Sequence, residues 1–205
     1  MKITVPDNAL PYIRLQRTTL NLEDLKDSFS ESIQDDFDGI KSFLPESCSA
    51  ILDIGCGVAG INVPLSQFYE DPVHITLLDK THTEEEVKYG YKTTSEFYNS
   101  LEVAKTLLMD NNIEEKNITL LNAQDDHQIT SDGPFDIIIS LLSMGFLYPV
   151  TTYLDRILET LSPNGVLILD IRKNTNDLAI IKQHFNKVEM IVDTLKWTRY
   201  CASME

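Results

Sequence analysis

Residues 50–60 read A-I-L-D-I-G-C-G-V-A-G, and this stretch decides which fold the chain can adopt. Its apolar residues predict a buried β-strand that runs into three glycines, which are Gly55, Gly57 and Gly60. Glycines permit positive φ and let a ligand approach the backbone where a side chain would obstruct it. The segment Ile61–Tyr69 predicts a helix directly afterwards, with Pro64 tolerated in or near its first turn. Strand, glycine turn and helix in this order predict a nucleotide-like ligand.

An acidic residue before the glycines narrows the choice of ligand. The spacing G-x-G-x-x-G also fits dinucleotide-binding proteins, so the glycines alone leave two cofactor classes open. Asp53 stands two residues before the first glycine, where a carboxylate is a poor neighbour for a pyrophosphate and a good one for a cation. The resulting D-x-G-x-G stretch resembles the first motif of the class I S-adenosylmethionine-dependent methyltransferases. That resemblance implies S-adenosylmethionine, which carries an ammonium and a sulfonium, as the cofactor.

A second acidic residue supports a nucleoside-containing ligand. Asp79 ends the next predicted strand, Val73–Leu78, about one βαβ unit after the first. A carboxylate at this strand tip can accept hydrogen bonds from both hydroxyls of a ribose. NAD-binding proteins use the same arrangement, so Asp79 does not choose between the two cofactor classes.

The remaining apolar segments predict an α/β fold. Further strands are predicted at Ile118–Asn122, Phe135–Leu142, Val166–Ile171, Val188–Val192 and Lys196–Cys201. Helices are predicted at Asn21–Leu44 with Asn21 as its cap, Asn99–Asn111, Pro149–Leu161 with a stop at Ser162–Gly165, and Asp177–Phe185. The last two strands predict a hairpin, which is typical of the methyltransferase fold. The resemblance therefore implies a Rossmann-like methyltransferase fold: a seven-stranded, mostly parallel sheet with an antiparallel terminal hairpin and helices on both faces.

Length and composition favour one domain that acts on a small molecule. The 205 residues, 42% of them hydrophobic, suit a single globular domain. The net charge of −15 disfavours a nucleic-acid partner, which would need clustered Lys and Arg. Three cysteines without a C-x-x-C pair indicate neither a disulfide framework nor a metal site. We see no export signal and no apolar run of membrane-spanning length, so we expect a cytoplasmic protein. The oligomeric state is open.

Two segments are predicted to act as lids or substrate walls. Residues 1–45 comprise an arm without clear periodicity and the first amphipathic helix. Residues 81–98 form an insertion that carries several aromatic side chains. Its Y-G-Y-K and the following F-Y-N-S-L-E resemble uncharacterised bacterial and phage methyltransferase-like proteins, some of them labelled as sugar methyltransferases.

The resemblance implies a set of cofactor-binding residues along the carboxyl ends of the strands. Gln124 and Asp125 follow the third strand, where this family holds the adenine. The complete set is Asp53, Gly55, Cys56, Gly57, Gly60, Asp79, Lys80, Gln124, Asp125 and Ser140.

Four residues are candidates for substrate binding or catalysis. Ser143 and Tyr148 follow the fourth strand, whose carboxyl end should face the transferable methyl, although Tyr148 also suits simple packing. His127 can serve as a general base near neutral pH or be a surface-loop histidine. Arg172 leaves the fifth strand toward the site, as does Asp170. It can bind an anionic substrate group or pair with one of the many surface acids.

These observations predict methyl transfer to a small-molecule acceptor by in-line displacement, for example to a hydroxyl of a sugar or metabolite. The chain lacks the N/D-P-P-Y/F motif of many amino- and adenine-directed methyltransferases, which disfavours an exocyclic base amine as the acceptor. Two alternatives stay open. One is an NAD-dependent oxidoreductase, supported by the glycine spacing and Asp79. The other is a noncatalytic S-adenosylmethionine-binding partner protein, supported by the absence of a clear catalytic base.

Overall fold

The structure is a computed structural model that describes residues 2–17, 19–83, 98–123 and 129–205. Within these ranges the α-helices are α1 (Leu10–Gln16), α2 (Leu25–Ile40), α3 (Asn62–Phe68), α4 (Leu101–Asp110), α5 (Leu154–Thr160) and α6 (Asp177–His184). The strands are β1 (Ala50–Ile54), β2 (His74–Asp79), β3 (His82–Thr83), β4 (Tyr98–Asn99), β5 (Ile118–Asn122), β6 (Phe135–Ser140), β7 (Leu161–Arg172), β8 (Lys187–Asp193) and β9 (Trp197–Ser203). None of the helices in these ranges is both long and apolar enough to cross a bilayer.

Seven of these strands form one mixed sheet in the order β5-β2-β1-β6-β7-β9-β8. The pairings from β5 to β7 are parallel, whereas β9 runs antiparallel to both β7 and β8. The short strands β3 and β4 form a separate antiparallel pair. The predicted seven-stranded sheet with a terminal antiparallel hairpin is confirmed.

Apolar side chains cover both faces of the sheet. Alternate residues of the central strands point to opposite faces because side chains alternate along a strand. On one face Ile51 and Ile137 pack with apolar residues of α2, α3 and α4. On the other face Leu52 and Ile138 pack with apolar residues of α5 and α6. The helices thus lie on both sides, and the edge formed by the strand ends is left for polar residues.

The order of the strands identifies where a ligand should bind. After β1 the chain continues to β2 and β5 on one side, then crosses back to β6 on the other side of β1. In open α/β sheets, ligands bind outside the carboxyl ends of the strands at the point where the strand order reverses. Here that point lies between the loops that follow β1 and β6.

Several element boundaries differ from the predictions. Helix α2 is shorter than predicted and starts at Leu25, because the Asn21 Oδ1 atom accepts a hydrogen bond from Glu23 N at 3.1 Å in a turn before the helix. Asn21 is therefore not the helix cap. Helix α5 starts at Leu154, later than the predicted Pro149, and ends at Thr160, directly before the predicted stop. Residues Ser162–Gly165 nevertheless belong to β7, which begins at Leu161, and Leu161 pairs with Phe135 ahead of a register shift.

The arm before α2 also contains a helix that its sequence pattern did not predict. Helix α1 spans only seven residues, too few for an apolar repeat to be recognised. Pro11 lies in its first turn, where a backbone N–H would have no hydrogen-bond partner within the helix.

A buried ion network joins the terminal hairpin to the rest of the fold. Arg199 in β9 makes two hydrogen bonds to the Asp170 carboxylate in β7, at 2.7 and 3.0 Å. Its third contact, at 2.8 Å, is to Asp36 in α2, which also pairs with Arg17 at 3.0 Å. The Asp170 carboxylate additionally accepts from Leu142 N at 3.1 Å, in the loop after β6. Burial alone would lower the pKa of Arg199, but hydrogen bonds and charge from Asp170 outweigh it and the pKa is raised.

Replacement of Arg199 by methionine should destabilise the fold strongly. Arg199→Met leaves Asp170, which is 0% exposed, as an uncompensated buried charge, and we expect a loss of about 3–5 kcal/mol in urea unfolding. The double variant Asp170→Leu/Arg199→Met should recover part of that loss. Lys187→Met, which removes an exposed pair with Glu189, is the control and should change stability little. Equal effects of Arg199→Met and Lys187→Met would contradict the proposed importance of the network.

Candidate functional site

The glycine turn after β1 is attached to the end of β2 through Asp79. Gly55 and Gly57 adopt φ of +69° and +55°, in the left-handed region that favours glycine. Gly57 N donates to Asp79 Oδ2 at 2.8 Å, and Lys80 N donates to Asp79 Oδ1 at 2.7 Å. The predicted neighbours Asp79, Gly57 and Lys80 are thus brought together at one corner of the site.

The Asp79 carboxylate keeps acceptor capacity for a ligand. Two carboxylate oxygens offer about four lone-pair positions, of which the two backbone N–H groups occupy two and the Asn99 side chain can occupy a third. Burial raises the pKa of Asp79 to about 6, against the opposing effect of the two N–H donors and the Asn99 side chain. The group is therefore mostly ionised at neutral pH and can accept hydrogen bonds from a diol.

Asp53 and Asn62 form a second acceptor pair at the end of β1. The Asn62 side-chain amide donates to Asp53 Oδ2 at 2.6 Å. The opposite atom, Asn62 Oδ1, is buried and has no hydrogen-bond partner among the residues the structure describes. Burial raises the pKa of Asp53 to about 7, with Asp79 adding to the shift and the Asn62 hydrogen bond opposing it. A buried acceptor without a donor is costly, so this pair suits a ligand that brings a donor or a cation.

The loops after β1 and β6 are in close contact. A Cβ added at Gly55 would lie 1.8 Å from Ser143 Oγ and 2.5 Å from Ser143 Cβ. Ser140 stabilises the same junction: its hydroxyl donates to Ile54 O at 2.8 Å and accepts from Met144 N at 3.0 Å. Ser140 is fully buried, so the structure places it as a support of the two loops rather than as an open ligand contact.

Ser143 and Tyr148 meet each other in the loop after β6. Their hydroxyls are 3.1 Å apart, and both side chains are almost fully buried. Burial raises the pKa of the Tyr148 phenol above its ordinary value, so the phenol stays protonated at neutral pH. Tyr148 also packs edge-on against Tyr153, which agrees with the packing alternative noted from the sequence. The pair can orient a substrate by hydrogen bonding, but neither hydroxyl is a base.

Gly60 and Cys56 make packing contacts within the protein. A Cβ at Gly60 would lie 2.5 Å from the Phe29 ring of α2, so this glycine allows close packing of the turn on that helix. The Cys56 thiol contacts Gly57 O at 3.4 Å and Asn99 Nδ2 at 3.8 Å. Burial raises the pKa of Cys56 well above its ordinary value, so the thiol is not a nucleophile.

Three polar residues near the site were not predicted from the sequence. Gln16, at the end of α1, accepts from Val58 N at 3.2 Å and so covers the glycine turn. Its amide nitrogen lies 3.5 Å from the Asn99 Oδ1 atom. A polar residue within the apolar start of α3 was a usable signal for Asn62, but nothing in the sequence pattern pointed to Gln16 or Asn99. Through this contact the N-terminal segment reaches the glycine turn, and its role as a lid stays a prediction.

Several predicted positions lie outside the described residues. These are Gln124, Asp125 and His127, together with most of the insertion at 81–98. The predicted adenine contacts and the candidate base therefore stay predictions.

The chain was compared with known proteins. No protein-family model matches it, and no curated protein does. Precorrin-6y C5,15-methyltransferase from Geobacter metallireducens GS-15 is similar in structure, with a TM-score of 0.59 at 15% identity over 86% of this chain and 89% of that one. Ribosomal protein L11 methylase from Lactobacillus delbrueckii subsp. bulgaricus gives 0.56 at 15% identity over 85% and 78%. Coclaurine N-methyltransferase, solved with N-methylheliamine and SAH, gives 0.51 at 18% identity over 83% and 46%.

All three of these solved structures are methyltransferases, and the strand order of this chain ends in the antiparallel hairpin expected for that fold. The chain has the class I methyltransferase fold. The prediction of this fold is confirmed. Within it, Asp53, Asn62 and Asp79 place three hydrogen-bond acceptors at the glycine turn.

The buried acids of this methyltransferase fold should make its stability depend on pH. Asp53 and Asp79 have folded-state pKa values of about 7 and about 6, both above the ordinary value of 3.8, so the folded chain binds protons that the unfolded chain releases. The free energy of unfolding should therefore fall by about 2–4 kcal/mol as the pH rises from about 5 to about 8. Urea unfolding across this range measures the slope, and Asp53→Asn should make it shallower.

Asp136→Asn provides the control for this experiment. Partial burial raises the pKa of Asp136, but hydrogen bonds from Ser49 outweigh that effect and lower it overall. The residue is then ionised in both states above about pH 5, so its loss should leave the slope unchanged. An unchanged slope in Asp53→Asn would show that Asp53 is not protonated on folding.

Gly55→Ala should disrupt the junction of the two loops. An alanine would adopt positive φ and its Cβ would overlap Ser143, so we expect a loss of about 2–4 kcal/mol in urea unfolding. The matched control is Gly39→Ala, because Gly39 lies within helix α2. The added Cβ would have Val192 at 3.9 Å as its neighbour, so this substitution should raise the free energy of unfolding by about 0.5–1 kcal/mol. A Gly55→Ala protein as stable as the wild type would refute the tight contact with Ser143.

Proposed function

We propose that this chain is an S-adenosylmethionine-dependent methyltransferase that acts on a small-molecule acceptor. The observation that carries the proposal is the attachment of Asp79 to the glycine turn, at 2.8 Å from Gly57 N, at the carboxyl edge of a class I methyltransferase sheet. This arrangement holds a carboxylate that can accept from a diol beside the backbone of the glycine turn. It supports a nucleoside cofactor at this position.

The residues around the turn fit the charges of this cofactor. We propose that Asp79 accepts from the ribose hydroxyls, and that Asp53 with the orphaned Asn62 Oδ1 accepts from the ammonium. Gly55 and Gly57 have no side chains, and the space beside them is taken by Ser143 and Gln16, so these two side chains would border the ligand at the turn. The Asp53 carboxylate would repel a pyrophosphate and so favours S-adenosylmethionine over NAD, whereas Asp79 suits the ribose of either cofactor.

When bound, S-adenosylmethionine supplies a methyl group that forms a bond to the acceptor atom while the carbon–sulfur electron pair returns to sulfur. The contribution of the chain is then alignment, which can lower the barrier by about 7 kcal/mol or more. We propose that Ser143 and Tyr148 orient the acceptor, since both lie in the loop after β6 and contact each other at 3.1 Å. A hydroxyl acceptor must also lose its proton, and His127 stays our proposed base for that step.

The proposed acceptor is a small molecule, with a hydroxyl of a sugar or metabolite as the first class to test. The net charge of −15 disfavours the phosphate backbone of nucleic acids. We infer a cytoplasmic site of action from the sequence. The noncatalytic alternative keeps one supporting observation: Ser143 and Tyr148 are hydrogen-bonded to each other and neither is a base.

Calorimetric titration should detect binding of S-adenosylmethionine and S-adenosylhomocysteine to the wild-type chain. Asp79→Ala should weaken both affinities about 100-fold, because it removes two charge-assisted hydrogen bonds to the ribose. Asp136→Ala removes the same negative charge at the amino end of β6, away from the glycine turn, and should leave the affinities unchanged. Circular dichroism of each variant checks that the fold is retained.

The alternatives give different results in the same assays. Tight NADH binding, seen as enhanced nicotinamide fluorescence, with no binding of S-adenosylhomocysteine would replace the proposal by the oxidoreductase. Binding of S-adenosylmethionine without methyl transfer to any member of a broad acceptor panel would favour the noncatalytic partner protein.

A further inference from the structure

We propose that Arg172 binds an anionic group of the methyl acceptor, so that the acceptor is a small molecule bearing a carboxylate or a phosphate. This inference rests on the proposed function and specifies the substrate class of the same site. The sequence left two roles open for Arg172, an anion contact or a pair with a surface acid, and the side-chain contacts distinguish them.

Arg172 is fixed to the loop on the acceptor side. It lies at the carboxyl end of β7, and its backbone N–H donates to Gly145 O at 2.9 Å. Its side-chain Nε donates to Phe146 O, also at 2.9 Å. The guanidinium carbon lies 4.5 Å from the centre of the Phe146 ring, within the range of a cation–π contact. The backbone bond fixes the residue, and the two side-chain contacts orient its guanidinium against the loop that carries Ser143 and Tyr148.

The guanidinium of Arg172 is not neutralised by a carboxylate of the described residues. Arg17, Arg156 and Arg199, the other arginines that are buried or partly buried, each form an ion pair with an aspartate. The next residue, Lys173, also pairs, with Asp193 at 2.8 Å. The chain has 32 acidic residues against 17 basic ones, so a partly buried arginine without an acid is unexpected. No carboxylate of the described residues serves as this counterion, which supports a site for an anionic group of the acceptor.

The geometry of the free guanidinium edge fits an oxyanion. The bond to Phe146 O uses the Nε proton, and the two terminal amino groups remain as a planar pair of donors. Such a pair binds a carboxylate or a phosphate through two parallel hydrogen bonds. Asp53 and Asp79 place negative charge at the same edge of the sheet and would repel an anionic acceptor, so a cation on the acceptor side is required to hold it.

Matched pairs of probes test this inference on the protein saturated with S-adenosylhomocysteine. The pairs are a hexose phosphate with the free hexose, and a hydroxybenzoate with the corresponding hydroxybenzamide. The readout is the thermal unfolding midpoint as each probe is titrated. We expect at least one anionic probe to stabilise the wild type while its neutral partner does not. Arg172→Gln should weaken that binding about 10- to 100-fold, and Arg172→Lys should retain part of it.

Two controls separate this inference from folding and from the proposed function. Lys182→Gln removes the same charge from the exposed side of α6 and should bind the anionic probe like the wild type. Affinity for S-adenosylhomocysteine should be unchanged in Arg172→Gln, which shows that the fold and the cofactor site persist. With probes that accept a methyl group, Arg172→Gln should raise KM and leave kcat nearly unchanged.

The inference is overturned if no anionic probe stabilises the wild type beyond its neutral partner. It is equally overturned if the stabilisation persists in Arg172→Gln. In both cases S-adenosylhomocysteine binding to the wild type would leave the proposed function intact, whereas failure of S-adenosylhomocysteine to bind would contradict the proposed function itself.

Discussion

The buried pair of Asp170 and Arg199 is the interaction on which most of this structure depends. It joins the antiparallel strand β9 to β7, and therefore attaches the terminal hairpin to the parallel part of the sheet. Arg199 also reaches Asp36 in α2, so the helix that covers this face is held by the same charge. The Asp170 carboxylate binds Leu142 N, and Leu142 adopts a φ of +54° that an ordinary residue avoids. One ion network thus connects the sheet, helix α2 and the loop after β6. Burying these charges is costly, and their hydrogen bonds offset that cost only while every partner is present.

A similar constraint applies at the carboxyl edge of the sheet, where two acidic side chains are buried away from water. Asp53 and Asp79 are buried beside backbone N–H groups and an amide, and burial raises the pKa of both toward neutrality. Their charge is therefore sensitive to what binds next to them. A cation or a pair of hydroxyls favours the ionised form, whereas a phosphate would favour the protonated one. At Asp53 this preference favours a cation over a pyrophosphate, whereas Asp79 suits the ribose hydroxyls of either cofactor class.

The fold defines the cofactor side more closely than the acceptor side. The similar solved structures are named for acceptors as different as a precorrin, a ribosomal protein and coclaurine, at identities of 15% to 18%. In this chain the features specific to it lie in the loops and the N-terminal segment. Gln16 covers the glycine turn, Ser143 and Tyr148 meet behind it, and Arg172 is held against Phe146. We therefore expect these contacts, and not the sheet, to determine which substrate the chain selects.

The sequence by itself determined the class of fold, the glycine turn and the two acids at the strand ends. These are local features: apolar runs form buried strands, glycines allow positive φ, and a residue at the end of a strand stays there whatever packs around it. The tertiary structure decided what each side chain does. Gly60 faces α2, Ser140 supports two loops, and Asp170 lies buried against an arginine 29 positions away rather than open to the site. Such roles depend on contacts between residues far apart in the chain, and the spacing of residue types along a single sequence does not record them.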